Sequence, residues 1–103
     1  MSPRFTPQAR DQFLGVLAYI AAQDEIAAAA LLLRVERALQ RLTRFPYSGR
    51  RIPEFPREST REVVIRPYRL FYEIASDGVW ISAVWHSAQR PAPPPSGGAQ
   101  LET

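Results

Sequence analysis

Apolar residues recur every three or four positions from Thr6 to Arg44, then crowd into short β-branched and aromatic runs from Arg61 to His86. The first pattern is helical. Thr6-Pro7 opens it, with threonine as N-cap and proline at the first helical position, where its missing N–H costs nothing. Ala9, Phe13, Val16, Leu17 and Ile20 form one stripe until "AAQDE" interrupts it. Asp24 then serves as a second N-cap, with Glu25 at the positive end of the helix dipole. Ala28, Leu31, Val35, Leu39 and Leu42 repeat on one face to about Arg44. Two amphipathic helices with a short link predict an antiparallel helical hairpin.

Residues 45–60, "FPYSGRRIPEFPREST", are broken by Pro46, Gly49, Pro53 and Pro56 and predict a long surface loop. Three strand-like runs follow: "REVVIR" (61–66), "YRLFYEIA" (68–75) and "VWISAVWH" (79–86). Residues 2–5 are compatible with a short additional strand. Helices followed by strands indicate an α+β layer fold, with the helices on one face of an antiparallel sheet. Residues 1–90 form the folded part, and the Pro/Gly/Ser-rich segment 91–103 reads as a flexible tail.

Asp77-Gly78 between two apolar runs predicts a two-residue hairpin turn. Counting back from it pairs Ser76 with Val79, Ile74 with Ile81, Tyr72 with Ala83, Leu70 with Trp85 and Arg69 with His86. One face would carry Leu70, Tyr72, Ile74, Ile81, Ala83 and Trp85 towards the helices. The other would carry Arg69, Phe71, Glu73, Trp80, Ser82, Val84 and His86. Arg69 and His86 would then be cross-strand neighbours, about 5 Å apart at Cβ.

Composition narrows the chemistry. With one histidine and no cysteine, disulfides and thiolate metal sites are excluded, and a zinc site would have to rest on carboxylates. No phosphate-cradling glycine loop or nucleophile elbow is present. No run of about 18 apolar residues predicts a membrane span, and MSPRFTPQAR lacks the apolar core of a signal peptide. A cytoplasmic protein is the expectation. All thirteen basic residues are arginine, against ten carboxylates. Arg34, Arg37, Arg41 and Arg44 fall within roughly an 80° arc away from the leucine face, the pattern of a solvated face or of a phosphate contact line.

Four stretches in order carry a family resemblance: "FTPQARDQFLGVLAYIAAQD", "LQRLTRFPYSGRRIPE", "TREVVIRPYRLFYEI" and "GVWISAVWHSAQR". Over residues 5 to about 90 the chain resembles the RelE/ParE superfamily of toxins from bacterial type II toxin–antitoxin modules. The resemblance implies a helical hairpin packed on a small, twisted antiparallel sheet. It also implies a cognate antitoxin that wraps the toxin in a hetero-oligomer and reaches operator DNA through its own DNA-binding part. No cofactor, metal or membrane is implied.

Members act in two ways. RelE-like toxins are ribosome-dependent mRNA endonucleases, whereas ParE-like toxins inhibit DNA gyrase. Metal-free RNA cleavage needs a base, cations for the developing phosphorane charge and an acid for the leaving oxygen. Arg69 matches the arginine that holds the scissile phosphate in nuclease members, and His86 lies where some carry a general acid or base. Arg61 would supply a second cation, and Tyr68 or Tyr72 a stacking or hydroxyl group. No lysine pair or dedicated carboxylate base is evident, and Glu73 sits roughly 13 Å along the strand from Arg69. The proline turn and the terminal His-x-x-x-Arg look more like the ParE branch. In that branch Arg61, Tyr68, Arg69, His86 and Arg90 would be target contacts and not catalytic groups. A third reading is a non-toxic nucleic-acid-binding domain using the arginine stripe.

Overall fold

The computed structural model describes residues 3–55 and 57–87. The tail 91–103 and Arg90 lie outside that range. Strand β1 (Arg4–Phe5) leads into helix α1 (Pro7–Ala21) and helix α2 (Glu25–Arg44). A 3-10 turn (Pro46–Ser48) and strand β2 (Arg50–Arg51) follow, then β3 (Arg61–Ile65), β4 (Tyr68–Ala75) and β5 (Gly78–His86). The sheet order is β1-β5-β4-β3-β2.

Both helix starts form as the sequence dictates. The Thr6 hydroxyl accepts from the Ala9 amide at 3.1 Å, and the Asp24 carboxylate accepts from that of Ala27 at 3.1 Å. Each cap satisfies a donor that has no partner within the helix. The stripes then pack on the sheet. Ala9, Phe13, Leu31, Val35, Ala38 and Leu42 join Ile65, Leu70, Tyr72, Val79, Ile81 and Val84 in one buried cluster.

Three expectations need correction. The sheet is mixed and not wholly antiparallel, because β1 runs parallel to β5. Residues 45–60 are not only a surface loop: they contain β2, and Ile52 and Thr60 are almost fully buried. The hairpin register also differs. Ala75 pairs with Gly78, so Ser76-Asp77 is the turn, and Gly78 enters β5 at φ 125°, a backbone angle that favours glycine. That two-residue displacement leaves every side chain on its expected face. A bulge opposite Phe71/Tyr72 then inserts one more residue, Ser82, and reverses the faces beyond it. Val84 therefore enters the helix-side core, while Ala83 and Trp85 join Phe71, Ile52 and Phe55 in a second cluster on the far face.

Candidate functional site

The far face of the sheet holds a buried charge cluster. Ile65 pairs with Tyr68 across the β3–β4 turn, so Val63, Ile65, Tyr68, Leu70 and Tyr72 face the helices. Alternation sends Glu62, Val64, Arg69 and Phe71 to the other side. Arg69 is only 7% exposed. Its Nε donates to Glu62 Oε1 at 2.7 Å, and its Nη2 lies 2.6 Å from the same oxygen. The outer edge of the guanidinium meets the Glu54 carboxylate through Nη1 at 3.2 Å and Nη2 at 2.9 Å. The Glu62 carboxylate, shut off from solvent, also accepts from Arg50.

The electrostatics follow from those contacts. The hydrogen bond from Arg69 holds the Glu54 carboxyl below the usual carboxylate range, and the Glu54 partner in turn raises Arg69. Ile52 and Phe55 cover the neighbouring apolar surface, and Arg51 ties back to the Glu58 carbonyl at 3.0 Å. Residues 52–55 and 57–58 thus form a strap across the far face, latched by Glu54 on Arg69.

The residues singled out from sequence do not converge. Arg69 pairs with Trp85, and Tyr68 pairs with His86, so Arg69 and His86 project from opposite faces. The displaced turn and the bulge at Ser82 together replace the expected cross-strand pair. Tyr68 and His86 do meet, edge to face, with ring centroids 5.4 Å apart. Arg61 is four residues along β3 from Ile65, the residue paired with Tyr68, which places it roughly 13 Å from that end. Its guanidinium donates to the Gly49 carbonyl at 2.8 Å and lies over the Tyr47 ring. Tyr72 is also committed: its hydroxyl donates to the Pro46 carbonyl at 2.7 Å and accepts from the Gly49 amide at 2.9 Å. Burial raises its pKa. Among the described residues no group of three or more His, Cys, Asp or Glu side chains is placed to hold a metal ion.

Sequence reasoning passed over Glu62 and could not place Glu54. The signal for Glu62 was available. A tight turn at Arg66-Pro67 with Val63 and Ile65 inward forces Glu62 onto the face of Arg69. Glu54 carried no such signal, because its position depends on how the strap folds back.

The family model for the ParE toxin of the type II toxin–antitoxin system parDE covers residues 4–91, most of the chain. This chain belongs to the ParE toxin family. It is a type II toxin, and such a system implies an antitoxin partner. A solved structure, the chromosomal ParDE toxin–antitoxin system from P. aeruginosa, shares its fold with a TM-score of 0.67 at 12% identity. The alignment covers 84% of the toxin described here and 95% of that chain. No curated protein matches at a significant level. No helix of the described residues is long and apolar enough to cross a membrane.

Proposed function

We propose that this toxin arrests growth by binding DNA gyrase in the cytoplasm, as a protein–protein inhibitor without bond-breaking chemistry of its own. A cognate antitoxin neutralises it within a hetero-oligomer and carries the contacts to operator DNA. The observation that carries this reading is the state of Arg69. Its guanidinium is held by Glu62 on one edge and Glu54 on the other, and it points away from His86. Cleavage of mRNA by this chain would need a free cation and an acid or base beside one phosphate. The arrangement of Arg69 and His86 does not favour that. Tyr68 and His86, adjacent at the end of the sheet, serve as target contacts with Arg90. Arg69 supports that surface from the opposite face of the sheet, and Arg61 lies further along β3, bound to the Gly49 carbonyl.

The test adds the purified chain, free of antitoxin, to gyrase supercoiling reactions and to ribosome-bound mRNA. Loss of supercoiling with intact mRNA is expected. Replacing Tyr68 and His86 together by alanine should weaken inhibition roughly tenfold or more. Cleaved mRNA with supercoiling untouched would overturn the proposal in favour of the endonuclease.

A further inference from the structure

The arginines of this toxin are unevenly placed. Residues 34–66 contain nine arginines against four glutamates, while the rest of the chain carries a net charge of −2. A preference for arginine over lysine explains the residue type but not this placement. Four of the nine form the ridge Arg34, Arg37, Arg41 and Arg44 on α2, all exposed. Among the described residues, ion pairs form at Arg4, Arg50 and Arg69 but not at these four. Like charges three and four apart on a helix repel one another. The negative end of the helix dipole and the Phe45 ring favour Arg41 and Arg44, but no carboxylate of the described chain pairs with any of the four.

We infer that α2 binds the phosphate backbone of duplex DNA, without reading sequence, through Arg34, Arg37, Arg41 and Arg44. At 1.5 Å per residue the four guanidinium groups span about 15 Å of a rigid helix. One strand of B-DNA carries about four phosphates over that length. The ridge continues at its C-terminal end towards Arg50, which borders a cleft of about 230 Å³ together with Arg41. Single-stranded nucleic acid fits less well, because it wants open aromatic faces for its bases. The exposed rings here, Phe45 and Tyr47, already have Arg44 and Arg61 stacked over them at 5.7 and 5.2 Å. This inference is independent of gyrase. It concerns a different surface from Tyr68 and His86, and binding to bare DNA measures it alone.

The test is fluorescence anisotropy of a labelled duplex of arbitrary sequence with the purified full-length chain, free of antitoxin. Affinity should fall about 100-fold between about 50 and 200 mM salt, the dependence of four phosphate contacts. Each single Arg→Gln change on the ridge should reduce the log–log salt slope by about 0.9. The quadruple variant should lose the salt-dependent binding while keeping its circular dichroism and thermal midpoint. Changing Arg4 and Arg10, exposed arginines outside residues 34–66, should leave the slope unaltered. Three results would overturn the inference: no duplex binding at the lower salt, a slope indifferent to the ridge, or equal or tighter binding to single strands or to polyglutamate.

Discussion

On one face of the sheet, Leu70, Tyr72, Ile81 and Val84 lie beneath two capped helices. On the other, Phe71, Ala83 and Ile52 lie beneath an irregular strap whose latch is Glu54 on Arg69. The helix side is stabilised by apolar area, which is non-directional and tolerant of small adjustments. The strap side has a smaller apolar cluster and adds charge pairing, which works only when every partner is in place. One face is robust by redundancy. The other is specific and brittle.

Breaking the charge cluster should therefore have the largest effect. Arg69→Ala leaves the buried Glu62 carboxylate with Arg50 alone and should destabilise by about 3–5 kcal/mol in urea unfolding. Replacing Arg69 and Glu62 together by apolar residues should cost less than Arg69→Ala, because no charge is stranded. A double cost equal to the sum of the singles would remove the coupling on which the comparison rests.

Cavity variants sharpen the contrast. Leu70→Ala on the helix side and Ile52→Ala under the strap remove similar volumes, and such changes cost about 2–5 kcal/mol. Leu70→Ala should fall near the top of that range and Ile52→Ala near the bottom, since the strap can settle where two helices cannot. Equal losses would mean the strap is as rigid as the helices.

Tyr72→Phe tests the joint between the faces. It removes the hydroxyl that satisfies both Pro46 and Gly49, and about 1–3 kcal/mol should be lost. Gly49 itself has no room for a side chain: a Cβ there would lie 2.7 Å from the Glu62 carbonyl oxygen and would clash with the Tyr72 hydroxyl.

The smallest effect is one of pH. Glu54 has a lowered pKa in the folded protein, so its contribution is complete above its ordinary value of 4.5 and is lost as pH falls through the depressed value. Hydrogen exchange should show the strap amides of Phe55 and Glu58 losing protection in that window while those of α1 and α2 keep theirs. Simultaneous loss in both would mean the latch is not separable from the fold.

The same contrast governs what was legible in the sequence. Both helices, their caps and their buried stripes follow from local rules, since Thr6, Asp24 and the periodic leucines act within a few residues of themselves. The β4 faces were legible too. What failed depended on single residues with distant effects. Ser82 has nothing in its neighbourhood to mark it as a bulge, yet it turns His86 away from the face of Arg69 and, together with the turn at Ser76-Asp77, sets Trp85 opposite Arg69. The strap is harder still, for Ile52 and Glu54 find partners on β4 and β5 that no local pattern announces.

Arg69 shows how short the step is between a scaffold residue and a ligand-binding one. Its inner edge belongs to Glu62, but its outer edge is held by one carboxylate from a surface strap, fifteen positions earlier in the chain. Glu54→Ala would leave that edge without its counter-charge, while Glu62 still holds the inner one. An arginine inherited at this position therefore does not carry its role with it. The role is set by whether a distant loop supplies the counter-charge or leaves it to come from outside.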